Sequence, residues 1–473
     1  MKKATKTQWI LFSVIVVLYL AFVIWTGNYW LLLGVPVIFD IYISKFIPWG
    51  AWKHPKNKFL RKIAEWVDAI LFALIAVYFI NLFIFQMYKI PTPSLEKSLL
   101  VGDYLMVNKM SYGPRVPNTP ISFPLVQHTF PIINTKSYIE WPRWGYKRLK
   151  GLGTVQRNDI VVFNYPTGDT VAINSPSNQD YYFSVRHYGR DRVWTDKREF
   201  GDIVYRPVDR RENYVKRCIG MPGDSLQIID NEVYIDGKIL PKPKNAQFNY
   251  FVETNGSILN DKQFKTLDVS MDDRNWVNNP RSQNLFFIHE AFDYMGIEKN
   301  AEGSYNPVYY IPLTNDALQK LKDSGWARSI QIDTEKIYGS GDIFPYDNSL
   351  EWTRDNYGPL WIPKKGATIE LNEKNMTFYS RCIQVYENNS LEIKGGQILI
   401  NGTPANTYTF KYDYYFMMGD NRHSSQDSRS WGFVPEDHVV GKPILVWLST
   451  DKDRSLLNGG IRWKRIFKLP GKD

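Results

Sequence analysis

Three apolar segments interleaved with basic charge constrain this 473-residue chain more than any other feature. Residues 8–25 (QWILFSVIVVLYLAFVIW) and 67–88 (VDAILFALIAVYFINLFIFQMY) are each long enough, at about 1.5 Å per helical residue, to cross or nearly cross a hydrocarbon layer of about 30 Å. Between them, residues 29–48 form a second, middle apolar stretch that contains Pro36 and Asp40. Only Thr26-Gly27-Asn28 separates it from the first, so the two read as a hairpin. About three spans are expected, at 8–25, 29–48 and 67–88, giving a membrane anchor over 1–88. The alternative for 8–25, a cleaved signal peptide, lacks a following small-x-small site, and Trp25 and Trp30 suit interfacial anchors. Asp40 is open to pairing inside the bundle or to lying at an interface.

Charge orients the anchor. Of the net +10, residues 1–66 hold +7, from nine Lys or Arg against Asp40 and Glu65. The remainder carries too little for a nucleic-acid footprint, so no nucleic-acid partner is expected. The Lys-rich start and the loop from Lys45 to Lys62 should both face the cytoplasm, which puts the residues after 88 on the exported side.

That exported portion reads as mainly β. Short Val-, Ile-, Tyr- and Phe-rich runs recur between turn residues, among them YLMVNK, DIVVFNYP, NEVYIDGK, QILINGTP and YYFMMGDN. Asp236-Gly237 and Asn401-Gly402 are strong hairpin signals. Helices are expected only at Asn315–Lys322 and from Asn372 to about Tyr386. The segments SLQIIDNEVYIDGKILP and SLEIKGGQILINGTP echo one another as similar hairpins. The expectation is an antiparallel β core over 89–240 and 409–473, a polar excursion at 166–213, and a large inserted cap domain at 241–408. The stretch from Tyr112 to Leu152, rich in Pro, Phe, Ile, Trp and Tyr, is read as part core and part lipid-facing, with the weight on membrane contact. Cys218 and Cys382 are expected as buried free thiols, and two cysteines without ligand spacing argue against a structural metal.

Ser94 stands a few residues past the third apolar segment, behind Ile90-Pro91-Thr92-Pro93, whose prolines hold the backbone extended. A hydroxyl nucleophile needs a base. None of the histidines, His54, His128, His187, His289, His423 and His438, lies in a hydrolase motif. Lysine serves if burial lowers its pKa, and Lys216, in ENYVKRCIGMPGD, sits in an apolar strand pattern suited to that.

Taken together, Pro91-x-x-Ser94 ahead of a Gly-Asp strand, then RNDIVVFNYP, YVKRCIGMPGD and MMGDNRHSSQDSRSWGFVP, in that order behind membrane spans, resemble the type I signal peptidases, membrane-bound Ser/Lys endopeptidases. The match runs from Ile90 to about Val446. The resemblance implies that Ser94 is the nucleophile and Lys216 the general base. Thr92 and the Ser94 N–H would form the oxyanion hole, and Ser425 would orient the lysine. Asp427 and Arg429 would brace the site as an ion pair, with Asp420 and Arg422 in a similar supporting role. No metal or organic cofactor is implied. The substrates implied are secretory preproteins cut after small-x-small residues, at the exported face of a bacterial inner membrane.

Several positions depart from that pattern. Leu95 follows the serine where Met is usual, Glu96-Lys97-Ser98 replace Pro-Thr, and Pro93 replaces a small residue. Asn158 stands where Gly is preferred, and His423-Ser424 where Asp-Asn is. A catalytically silent, membrane-tethered protein that binds preproteins would tolerate these changes. A self-cleaving Ser/Lys regulator would need a DNA-binding motif where this chain has spans, and His423 keeps a Ser-His arrangement open.

Overall fold

The computed structural model describes residues 4–53, 55–176, 179–280, 291–334, 342–451, 454–455 and 459–471. His54 and His289 lie outside the described residues. The chain divides into two compact units, one of residues 1–86 and 108–154, the other of 87–107 and 155–473.

In the first unit, helix Lys6–Thr26 starts on a reciprocal cap in which the Gln8 N–H donates to Thr5 Oγ1 at 3.3 Å and the Thr5 N–H to Gln8 Oε1 at 2.9 Å. It ends at Gly27, which takes the left-handed conformation and donates its N–H to the Val23 and Ile24 carbonyls. Helix Lys58–Phe83 is capped by Asn57. These two helices, of 21 and 26 residues, have the length and apolarity to cross a membrane. The middle stretch is shorter, an apolar helical run over Tyr29–Ser44 broken into 3-10, α and π turns. It nevertheless forms the expected hairpin. The Tyr19 hydroxyl donates to the Leu31 carbonyl at 2.6 Å, and the Phe39 ring packs on Phe12 and Trp9 with centroids 5.6 and 6.4 Å apart. The run therefore returns along the first helix toward its start. Asp40 ends it by accepting from the Phe46 and Ile47 N–H groups, the Trp49 indole and the Ser44 hydroxyl.

The third apolar segment behaves differently from the expectation. Its helix begins nine residues earlier than position 67, at Lys58, and stops at Phe83, and Phe85–Lys89 forms a strand. The Pro91 and Pro93 that follow favour extended backbone, which a strand accommodates and a helix does not. Residues 108–154 cluster with the helices. They are pinned there by hydrogen bonds from the Trp25 indole to the Lys150 carbonyl (3.0 Å), from Lys147 Nζ to the Thr26 carbonyl (2.7 Å) and from the Tyr78 hydroxyl to the Pro120 carbonyl (2.6 Å).

The second unit is mainly β. Seven strands form one sheet in the order Phe85–Lys89, Asp103–Asn108, Val439–Ser449, Ile160–Asn164, Asn213–Gly220, Tyr414–Met418, Val434–Pro435. Ile160–Asn164 is antiparallel to both its neighbours and buried along its whole length, as an inner strand should be. Leu95, Leu99, Leu105, Val107, Val162 and Val446 pack one face of this sheet. A second sheet centres on the fully buried strand Gln247–Thr254, between Val308–Thr314 and Ala327–Ile332. Helix Asn315–Ser324, capped by Thr314, buries Ala317 and Leu321 into that sheet's core. A third sheet joins Ser225–Ile229, Glu232–Ile235 and Lys238–Ile239 to Tyr357–Trp361, so the stretch expected as a cap at 241–408 pairs from within with a hairpin of the stretch expected as core.

Both expected turns are present, with φ values of 50° and 74° at Asp236-Gly237 and 51° and 78° at Asn401-Gly402. Helix Glu373–Arg381 runs into a π turn through Tyr386. The polar excursion contains three short helices, Tyr181–Tyr188, Arg190–Thr195 and Lys197–Phe200, that no apolar period announced. They are held by a small core of Ala172, Tyr181, Val193 and Phe200. Cys218 and Cys382 are free and buried. We expect neither thiol to react with dithionitrobenzoate in the native chain and both to react in denaturant, with dithiothreitol leaving the thermal midpoint unchanged; a midpoint that falls on reduction would contradict this.

Candidate active site

Ser94 lies in a 3-10 turn, Pro93–Leu95, that follows the extended Thr92. Proline suits the first position of such a turn because its fixed φ is already helical and its missing N–H has no role there. The turn buries Ser94, which is 6% exposed, and packs Leu95 into the sheet core. Thr92 Oγ1 is 3.5 Å from Ser94 Oγ, and the Ser94 N–H has no acceptor among the described residues. The turn lies against the strand Asn213–Gly220, which carries Lys216 opposite Val161.

Lys216 is 3% exposed. Burial pulls its ammonium pKa down to about 8, with Asp427 opposing the shift and Arg429 adding to it. Lys216 and Arg217 are adjacent on a strand, so they point to opposite faces. Arg217 meets Asp420 in a two-pronged pair, Nε to Oδ1 at 2.7 Å and Nη2 to Oδ2 at 2.6 Å, and donates to the Asn158 carbonyl at 2.9 Å. Ser98 adds a 2.6 Å hydroxyl bond to Asp420. Asp427 receives the Arg429 guanidinium at 2.8 and 2.9 Å and the Gly419 N–H at 3.0 Å. Burial alone would raise the Asp427 carboxyl, and Arg429 more than reverses this, holding it below the ordinary range.

Gly419 joins the pieces. A Cβ built there would fall 2.2 Å from Ser425 Oγ and 2.6 Å from the Ser94 carbonyl oxygen, so Ser425 and Ser94 flank it directly. The Asn421 N–H donates to that same Ser94 carbonyl at 3.1 Å. Ser425 Oγ is buried and has no hydrogen-bond partner among the described residues. Ser94, Thr92, Lys216, Ser425, Asp427 and Arg429 thus come together. Asp420 and Arg422 are also buried, but Asp420 pairs with Arg217 rather than Arg422. The Arg422 carbonyl accepts from Arg429 at 2.7 Å, and burial beside Arg429 pulls its own guanidinium down to about 10.

Arg217, Ser98, Gly419 and Asn421 were not singled out from the sequence. The signal available for Arg217 was its place in an apolar strand, where a buried guanidinium requires a carboxylate.

The departures at this site have local explanations. Asn158 takes φ 69°, a left-handed value that Asn tolerates better than most residues with side chains. Lys97 takes φ 72°, which proline cannot adopt. Its ammonium pairs with Asp268 at 3.3 Å. Burial pushes the Glu96 carboxyl up to about 7.

His423 belongs to another network. Its Nδ1 accepts the Asn249 N–H at 3.2 Å, while Nε2 lies 3.2 Å from Asn231 Oδ1 and 3.2 Å from Asp355 Oδ1. Burial lowers its pKa against the pull of Asp355. His438 is held by Arg211 and Asp437, His187 by the Phe183 carbonyl and His128 by Thr129. Among the described residues no cluster of His, Cys, Asp and Glu could hold a metal.

A Gly419→Ala substitution should displace Ser425 and the Ser94 turn, lowering the activity expected of Ser94 by at least about tenfold while costing about 1–3 kcal/mol of stability. Activity against a preprotein and urea unfolding check both halves. Asp420→Asn should cost about 3–5 kcal/mol, because it leaves the Arg217 guanidinium buried and unpaired. An unchanged urea midpoint would refute that.

The family model described as "Signal peptidase, peptidase S26" matches residues 63–289 and 362–448. Signal peptidase I of Buchnera aphidicola subsp. Acyrthosiphon pisum is 25% identical over 417 residues, covering 88% of this chain and 83% of the relative. Signal peptidase I of Haemophilus influenzae is 20% identical over 410 residues, covering 86% and 76%. Signal peptidase I of Helicobacter pylori strain 26695 is 40% identical over 180 residues, covering 34% and 60%.

Proposed function

Because the chain belongs to the signal peptidase, peptidase S26, family, we propose that it is a membrane-bound serine endopeptidase that removes signal peptides from exported preproteins by a Ser94–Lys216 dyad. The observation that carries the dyad is the buried Lys216 amine, with its pKa pulled down to about 8, on the strand that lies against the Ser94 turn.

The neutral Lys216 amine takes the proton from Ser94 Oγ as that oxygen attacks the carbonyl carbon of the scissile peptide bond. The resulting oxyanion is received by the Ser94 N–H and the Thr92 hydroxyl. Lys216, now an ammonium, returns the proton to the leaving amine, and the C–N bond breaks to leave an acyl ester on Ser94. A water, deprotonated by the same amine, hydrolyses the ester and restores the serine. Ser425 supplies the hydroxyl that orients the lysine between these steps. Asp427 and Arg429 brace the strand and loop that carry the parts.

The preprotein docks as an extended strand, and shallow pockets select small-x-small residues before the cut. The basic residues before position 67 favour the cytoplasmic side, which supports putting this chemistry on the exported face of a bacterial inner membrane.

Purified full-length chain in vesicles should cleave a preprotein with an Ala-x-Ala site. Ser94→Ala and Lys216→Ala should each lose at least about 10³-fold in kcat/KM. Lys216→Arg should be inactive across the pH range, because a guanidinium does not give up its proton. The sign of the pH dependence follows from the lowered pKa. The active form is the neutral amine, so kcat/KM should rise with pH and reach half its plateau near pH 8. A parent chain that binds preproteins without cutting them would instead support a silent binding protein, and activity surviving Lys216→Ala would remove the dyad.

A further inference from the structure

We infer that the first unit holds a binding site for one anionic phospholipid, with an acyl chain in the cavity between the helices Lys6–Thr26 and Lys58–Phe83 and the phosphate on Lys147. The inference uses the membrane placement of the helices but not the Ser94–Lys216 chemistry.

The cavity measures about 510 Å³ and lies where the end of the first helix, the end of the second and the 108–154 segment meet. Phe22, Leu31, Phe79, Phe83, Val116 and Trp144 line it. Such a space suits a small ligand, and its chemistry is apolar apart from one end. At about 30 Å³ for a water-sized group such as a methylene, it holds roughly 17 of them, the length of a membrane acyl chain.

The polar end carries a cation. Lys147 Nζ donates to the Thr26 carbonyl at 2.7 Å, in the last turn of the first helix, where a positive charge is favoured by the unsatisfied carbonyls. That bond occupies one of three ammonium donors. Lys147 makes no ion pair among the described residues, so its charge is free to meet an anion. The segment around it repeats this chemistry. Residues 112–152 contain six Lys or Arg and a single Glu, and Ile132, Trp141 and Leu152 are 92%, 80% and 80% exposed. Basic charge beside exposed apolar and aromatic groups is the composition of a surface that rests on anionic lipid. Lipid reaches a cavity bounded by two spanning helices at that surface directly.

The test uses full-length chain carrying Ser94→Ala, purified in neutral detergent and supplied with phosphatidylglycerol or phosphatidylcholine before native mass spectrometry. We expect one retained phosphatidylglycerol per chain, held about fivefold more tightly than phosphatidylcholine. Lys147→Gln should erase that preference, Lys147→Arg should keep it, and Leu82→Trp, which fills the cavity, should abolish retention of either lipid. Should the variants fold poorly, phosphatidylglycerol brominated on its acyl chain should still quench a tryptophan signal in the Ser94→Ala chain that is missing once Trp144→Phe is added. No one-to-one retention, equal retention of the two lipids, a preference that survives Lys147→Gln, or displacement of the lipid by a soluble signal-peptide fragment would each overturn the assignment.

Discussion

Lys216 sits on a strand whose last five residues, from Lys216 to Gly220, are all buried, and the packing of the second unit serves to keep that amine out of water. A buried ammonium cannot stand beside a second buried cation without compensation. The strand solves this by alternation. Arg217 turns to the other face and is fully paired by Asp420, while the Asp427 carboxylate near Lys216 is largely engaged by Arg429. The lysine therefore has a carboxylate close enough to limit its desolvation but already committed elsewhere. A free carboxylate in that place would hold the ammonium charged and unfit to accept a proton.

The loop from Gly419 to Arg429 carries this arrangement almost alone. It provides Asp420 for Arg217, Asn421 for the Ser94 carbonyl, Ser425 beside the serine, and Asp427 and Arg429 as a self-contained pair. Its density of charged and hydroxyl residues would be costly in an open loop. Here Asp420, Asp427, Ser428 and Arg429 have partners inside the unit, while Arg422 Nε and Ser425 Oγ are buried with none among the described residues. The Gly at 419 is required because the chain passes between two serines with no room for a methyl group.

Much of this was legible in the residues. Mainly antiparallel β structure, the two Gly-containing hairpin turns, both buried thiols and the helix at Asn315 could all be read, because each depends on local chemistry that spacing reveals. The pairing of Asp427 with Arg429 was implied by the family resemblance rather than by spacing, and the two do meet at 2.8 and 2.9 Å. What could not be read depends on distant contacts. Asp420 chose Arg217, 203 positions away, over the near neighbour Arg422. The third apolar segment ran smoothly in composition from helix into strand, and only the prolines beyond it hinted at the change. The middle apolar segment kept its hairpin but broke into short turns around Pro36 and Asp40. Three short helices in the excursion at 166–213 stay folded through a core of four side chains that no period marks.

The strand Tyr357–Trp361 closes a segment, residues 290–361, that lies between the two stretches matched by the family model. It covers the outer edge of Ser225–Ile229, only a short turn after the strand that bears Lys216. A chain shortened to the matched stretches would bare that edge and its row of unpaired amide and carbonyl groups. Edges of this kind recruit strands from other molecules. With the segment present, the edge of that sheet is instead Tyr357–Trp361, which carries Pro359, whereas Ser225–Ile229 contains no proline to blunt it.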